Sequence, residues 1–174
     1  MHHDHDVLAS GRHLELRSRG GWEFVHRRRG EGVVAIIAVT DDDQLVLVEQ
    51  HRPAIDGSVI ELPAGLVADQ EDSASETAES AARRELEEET GYAAARWTPL
   101  PTVVSSAGLT DESVSLFLAR DLERVGGGGG VADESITVHL VPVSDLIEWV
   151  EERIRTGTSV DGRVYASLAF LPRG

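Results

Sequence analysis

The chain has 174 residues, contains neither cysteine nor lysine, and carries a formal charge of −15 at pH 7. Its length fits one domain with a sizeable core. The composition excludes disulfides, thiolate metal sites, cysteine nucleophiles and a lysine Schiff base, and so acidic a chain repels polyanions, so no nucleic-acid partner is expected.

No apolar run reaches membrane-crossing length and no signal-peptide core opens the chain. With the missing cysteines, this points to a cytoplasmic protein with no membrane partner. His2, His3 and His5 are assigned no role. Val7-Leu8-Ala9, then His13-Leu14-Glu15-Leu16-Arg17, then Trp22-Glu23-Phe24-Val25-His26 read as short strands, with Gly20-Gly21 as a turn. Arg27-Arg28-Arg29 is the one basic cluster. The plainer reading is an exposed strand end; the sharper one is a contact to substrate phosphate or to a second subunit.

Residues 33–39 are continuously apolar, Thr40-Asp41-Asp42-Asp43 turns the chain, and residues 44–50 return as a strand. This predicts a hairpin buried at the heart of a mixed sheet. The three aspartates lack the glycine and distal glutamate of a calcium loop. After His51-Arg52-Pro53, residues 59–62 form a strand that runs into Pro63-Ala64-Gly65. Proline and glycine there bend the chain directly before an acidic helix, where the Ala64 carbonyl can face the carboxylates.

That helix holds Arg84-Glu85-Leu86-Glu87-Glu88-Glu89. Positions i, i+3 and i+4 are neighbours on a helix, so Glu85, Glu88 and Glu89 share a patch and Glu87 points elsewhere. Three like charges together destabilise the fold unless a cation offsets them, and hard divalent ions take oxygen ligands. Arg84 stands four residues before Glu88, placed to orient part of the cluster. At about 100° per residue, Ala78, Ala81 and Ala82 lie within roughly 60° of Glu85, which lets the helix approach a sheet closely. Gly91 is placed to end it. The plain alternative is a solvated, glutamate-rich helix end.

Strands are expected at 94–100, 102–105 and 113–119, with Ser106-Ala107-Gly108-Leu109-Thr110-Asp111-Glu112 as a loop. Five glycines at 126–130 read as a flexible connection without packing of its own. It is either an inert linker or a lid that brings a carboxylate in on closure. A strand follows Asp133-Glu134-Ser135. Ser144 is placed to cap a helix through about Thr156, with Leu146, Ile147, Val150 and Ile154 as its stripe. A last helix covers 160–171.

Taken together, Gly65, Glu71 and the run from Arg84 to Tyr92 resemble the Nudix hydrolase signature, G-x5-E-x7-R-E-U-x-E-E-x-G-U, where U is aliphatic or aromatic. The second half fits at every position. The join is longer: twelve residues separate Glu71 from Arg84 where the pattern has seven. Counting back from Arg84 selects Glu76 instead, so either glutamate can fill the first acidic position, and about five extra residues fall in the polar segment 69–75. The resemblance covers roughly Trp22 to Leu171. It implies a mixed α/β fold, a Nudix-type α/β/α sandwich with a mixed central sheet. To this the residues add a small N-terminal β extension, residues 1–29, before the domain proper at 30–174.

Within the family the chain looks most like the ADP-ribose pyrophosphatase group. Glu61-Leu62-Pro63-Ala64-Gly65 is typical of that group's entry to the signature. The loop 106–112 resembles its Ser-Pro-Gly-x-Ser/Thr-Asp/Ser-Glu loop, with Ala107 in place of proline. The segment from Glu134 to His139 resembles one whose glutamate acts on the attacking water. The resemblance implies Mg2+ (or Mn2+) held by Glu85 and Glu89, with Glu88 and the Ala64 carbonyl as further ligands. It implies Glu134 and Glu112 as catalytic carboxylates and Arg84 as the residue that holds the helix glutamates in place. Arg52, Glu61 and Gly108 are the candidate substrate contacts. The implied reaction converts ADP-ribose to AMP and ribose 5-phosphate. Another nucleoside diphosphate derivative (a sugar, NADH or a coenzyme A ester) and a non-catalytic ligand-binding domain stay open. A small-molecule nucleoside diphosphate is thus the expected partner, together with a second copy of the chain in a homodimer.

Overall fold

The structure, a computed structural model, describes residues 5–68, 75–130 and 135–171. Strands β1 (Asp6–Ser10), β2 (Leu14–Arg19) and β3 (Trp22–Arg27) form an antiparallel three-stranded sheet. Gly20 and Gly21, both at positive φ (61° and 84°), make the turn between β2 and β3; such turns match the natural strand twist. Val7, Leu8, Leu14, Leu16 and Trp22 on this sheet remain exposed.

β4 (Val33–Ala38) is buried at every position and separates two cores. Because side chains alternate across a strand, Val33, Ala35 and Ile37 join one core and Val34, Ile36 and Ala38 the other. The second core is covered by α1 (Ala78–Thr90) through Ala81, Ala82 and Leu86. The first is covered by α2 (Leu146–Arg155) through Leu146 and Val150, and by α3 (Gly162–Ser167) through Val164. Helices thus lie on both sides of the strands, as an α/β sandwich requires.

The strands divide into two mixed sheets. In one, β4 pairs parallel with β10 (Ser113–Arg124) and antiparallel with β7 (Ala64–Leu66). β8 (Tyr92–Pro99) and β9 (Val103–Val104) complete it through β10. In the other, the order is β11 (Thr137–Pro142), β5 (Gln44–Arg52), β6 (Gly57–Glu61) and β12 (Ser159–Val160), with β6 and β12 parallel. No helix among the described residues is long and apolar enough to cross a membrane.

The expected hairpin of residues 33–39 with 44–50 does not form. The turn is present: the Thr40 amide donates to the Gln44 carbonyl at 2.9 Å. Beyond it, a single bridge joins Val39 to Leu45. The reason is competition for β4's edges. The Ile36 amide donates to the Pro63 carbonyl at 2.9 Å and that of Val39 to Ala119 at 3.0 Å. The segment entering α1 therefore takes one edge of β4, β10 takes the other, and β5 parts into the second sheet.

α1 begins with a reciprocal capping box between Thr77 and Ser80 and ends at Gly91, at φ 74°. Ser144 caps no helix; its hydroxyl donates to Asp145 at 2.6 Å, and α2 starts two residues later behind a short 3-10 turn. The last helix is shorter than expected.

The glycine run is the second correction. It is packed against the end of α1: the Gly130 amide donates to the Glu88 carbonyl at 3.1 Å and that of Gly129 to the Glu89 carbonyl at 2.8 Å.

 The Val125 and Gly126 amides both donate to the Gly91 carbonyl, at 2.9 and 3.1 Å. These bonds satisfy carbonyls that a helix end leaves without internal partners. Gly128, Gly129 and Gly130 reach them at φ values of 65°, 102° and 86°, backbone space open chiefly to glycine. The run is therefore a cap made from a distant part of the chain.

Candidate active site

Arg84 organises the acidic end of α1. Its Nε donates to Glu76 Oε1 at 3.0 Å, and one terminal nitrogen donates to Glu85 Oε1 at 2.8 Å and Glu88 Oε2 at 3.1 Å. The other donates to the Leu66 carbonyl at 3.1 Å, tying the helix to β7. Burial opposes the charge on Arg84, but the bonds to Glu76, Glu85 and Glu88 outweigh it and hold its pKa above the ordinary arginine value.

Glu76 also accepts from the Ala68 amide at 2.9 Å. The bond from Arg84 is the main reason its pKa lies below the usual carboxylate value, and the Ala68 amide adds to this against burial. Glu76, eight positions before Arg84, is thus paired with the signature arginine, while Glu71 lies outside the described residues. A lowered folded pKa means the stabilisation is complete above the unfolded value, about 4.3, and is lost as pH falls through the folded one. The Tm difference between the native chain and Glu76→Gln should therefore be largest above about pH 5 and shrink toward pH 3. Thermal melts across that range check this; a constant difference would assign the bond no charge-dependent role.

Glu85 and Glu89 point into a cavity of about 430 Å3. Ala64 and Gly65 on β7 line it from one side, and Arg27, Arg52, Glu61, Glu112 and Arg163 line it elsewhere. The Ala64 amide donates to Glu89 Oε2 at 3.0 Å. A Cβ built on Gly65 would lie 1.9 Å from the Glu85 carboxylate, so glycine there makes the space the carboxylate fills. Glu89 is buried, only 5% exposed.

At the far side Arg52 Nε donates to Glu61 Oε2 at 2.7 Å, and Glu61 is itself buried. Arg163 has a terminal nitrogen 3.7 Å from Glu61 Oε1. Asp161 grips Arg163 through Nε at 2.7 Å and a terminal nitrogen at 2.8 Å. That grip raises the Arg163 pKa against burial. Burial pushes the Asp161 carboxyl up, but Arg163 more than offsets this and leaves it below the usual range.

The candidate residues divide accordingly. Arg52, Glu61, Ala64, Glu85, Glu89 and Glu112 share the cavity. Glu88 is on the helix beside them, bonded to Arg84, and is not part of the lining. Gly108 is exposed and likewise not part of it. Glu134 lies outside the described residues. Arg27 and Arg163 were not singled out as site residues from the sequence. Arg27 sat in the basic cluster that had a plainer reading, and Arg163 carries no motif beyond an aspartate two positions earlier.

Among the described residues no three Asp, Glu or His side chains already stand as a metal cage. The donor set nevertheless fits a hard cation. Two carboxylates share the cavity wall, and Mg2+ is usually held by one or two carboxylates with water and substrate oxygens completing its shell.

Residues 30–162 match the NUDIX domain. The chain belongs to the NUDIX family. This NUDIX protein is 37% identical over 123 residues to an ADP-ribose pyrophosphatase of Bacillus subtilis (strain 168), an alignment covering 70% of this chain and 64% of that one. The chain thus spans just under two thirds of the Bacillus relative's length. It is 31% identical over 169 residues to a GDP-mannose pyrophosphatase of Enterobacter sp. (strain 638), covering 90% of this chain and 83% of that one. A crystal structure of an ADP compounds hydrolase superposes with a TM-score of 0.64 at 22% identity, covering 85% of this chain and 80% of that one. That likeness establishes the shared fold: the NUDIX domain is mixed α/β.

Proposed function

We propose that this NUDIX protein is a pyrophosphatase that hydrolyses ADP-ribose to AMP and ribose 5-phosphate, using Mg2+ or Mn2+. The observation that carries this reading is the shared cavity: two carboxylates on one helix, Glu85 and Glu89, with three arginines, Arg27, Arg52 and Arg163, lining the same space. Arginines suit a diphosphate because their forked donors match phosphate oxygens. When bound, a divalent ion there supplies charge neutralisation and a more acidic water.

In this reading Arg84 orients Glu85, and the Ala64 amide fixes Glu89. Arg52 and Arg163 hold the diphosphate. Water oxygen bonds to one phosphorus, the bridging P–O bond breaks, and the bridging oxygen leaves with the second monophosphate. The proton lost by water goes to a carboxylate. Glu112 lines the cavity away from α1 and takes that role here, alongside Glu134, to which the family resemblance gives it. The exposed apolar residues of the N-terminal sheet support a homodimer formed through it.

One observation favours a second substrate. The GDP-mannose pyrophosphatase aligns over 83% of its own length, more than the 64% of the Bacillus enzyme. Product analysis of the native chain with Mg2+ and each substrate decides between them. AMP with ribose 5-phosphate supports the first reading. GMP with mannose 1-phosphate, and no turnover of ADP-ribose, moves the assignment to the second. No turnover across a panel that also holds NADH and a coenzyme A ester would mark a binding domain without chemistry.

A further inference from the structure

Consecutive residues of β3 engage the 106–112 loop. The Val25 amide donates to the Leu109 carbonyl at 2.8 Å. The His26 ring lies 2.8 Å from the Asp111 carboxylate. Arg27 Nε donates to Glu112 Oε1 at 2.7 Å. Backbone and side chains together dock the N-terminal sheet onto this loop.

Arg27 and Glu112 line the main cavity and also an adjoining one of about 200 Å3, so the ion pair forms part of the wall between them. The Glu112 amide donates to Thr110 Oγ1 at 3.1 Å, and its carbonyl accepts from the Ser105 amide at 3.0 Å. Its backbone is therefore fixed by its own loop, while its carboxylate is fixed by Arg27. A competing cation shares the space: Arg163 lines the same cavity as Glu112. Released from Arg27, the carboxylate would be drawn toward Arg163, which the substrate needs. Arg27 also lies before the residues that match the NUDIX domain, 30–162.

We infer that Arg27 is a positioning residue for hydrolysis: its bond holds the Glu112 carboxylate at the cavity wall and away from Arg163. The N-terminal sheet is then part of the active site as well as a surface for a second copy. This inference rests on the reading of Glu112 as a proton acceptor.

The test is steady-state kinetics of the full chain, on whichever substrate the native protein turns over, for Arg27→Gln, Arg27→Lys, Glu112→Gln, the Arg27→Gln/Glu112→Gln double variant, and Asp111→Asn. Misplacing a reacting group by about 1 Å can cost about 100-fold. Arg27→Gln should lower kcat about 10- to 100-fold, with KM changed less than about threefold and the acid limb of the pH–rate profile displaced. Arg27→Lys should recover part of the loss. The double variant should be no slower than Glu112→Gln alone, since both act through one carboxylate. Asp111→Asn removes the carboxylate that pairs with His26 at the same junction and should retain kcat, which separates positioning from docking.

Loss from Arg27→Gln that adds fully to that from Glu112→Gln would overturn the inference. So would a rise in KM with kcat unchanged, the mark of a direct substrate contact, or an equal loss in Asp111→Asn. Full activity in Glu112→Gln would bring down the reading of Glu112 itself. A slow Glu112→Gln beside a fully active Arg27→Gln would bring down the positioning role alone. A native chain without turnover would remove both.

Discussion

Glu89→Gln is expected to lower kcat about 100- to 1,000-fold while leaving the fold intact. Metal-assisted charge stabilisation contributes several kcal/mol to a transition state, and each 1.36 kcal/mol is about tenfold in rate. Glutamine has the same shape and keeps an oxygen to accept from the Ala64 amide, the bond seen at 3.0 Å. What it removes is the charge. That charge sits on the helix that also carries Glu85 and Glu88, both bonded, with Glu76, to the Arg84 guanidinium. Without a bound cation, removing one negative charge relieves repulsion, which between unit charges about 4 Å apart runs from about 1 kcal/mol in water to about 4 kcal/mol near a protein surface. The melting temperature without metal should hold or rise, and the stabilisation on adding Mg2+ should fall. Kinetics and melts with and without Mg2+ check both halves. A variant that keeps full kcat would remove the α1 carboxylates from the reaction.

The choice of Glu89 was accessible from sequence because the grouping of the helix carboxylates is local. Glu85 and Glu89 are four residues apart, so helix period alone places them together. Ala81 and Ala82 mark the face that meets the sheet, and Gly91 marks the end. Gly65 belongs to the same run of signature positions. The identity of the first acidic residue was not local. Two glutamates have suitable spacings from different anchors; Glu76 bonds Arg84, a contact between side chains that spacing alone does not give, and Glu71 lies outside the described residues.

Other parts depended on which distant segments compete for the same edge or cavity. The runs at 33–39 and 44–50 are both apolar on both faces, and such a pattern names no partner. β4 pairs with β10, about eighty positions away, and β7 fills its other edge. Arg163 is likewise silent in the sequence. It reaches the cavity because Asp161 grips it, and Asp161 is placed by the bond from its amide to the Ile60 carbonyl at 2.9 Å. Arg27 stood in a visible basic cluster, but a strand end and a pocket wall look the same until the partner Glu112 is known.

The glycine run gives the sharpest case, and Gly128→Ala is expected to be among the most destabilising single changes in the chain. A Cβ at Gly128 would lie 2.4 Å from the Thr90 carbonyl carbon and 2.8 Å from the Gly91 nitrogen. Both are backbone atoms, so no side chain can swing aside. The residue also sits at φ 65°, where a non-glycine residue adds its own strain. Together these suggest a loss of about 2–4 kcal/mol, or roughly 5–15 °C in Tm for a chain of this size. Gly127, its neighbour, has nothing within 4 Å of its would-be Cβ and no positive φ. Gly127→Ala should fall within about 0.5 kcal/mol of the native chain. A flexible linker would tolerate both substitutions equally, and matched melting temperatures for the two variants would return the run to that role. A cap built on the end of α1 separates them, because only Gly128 is pressed against the turn that follows Glu88 and Glu89.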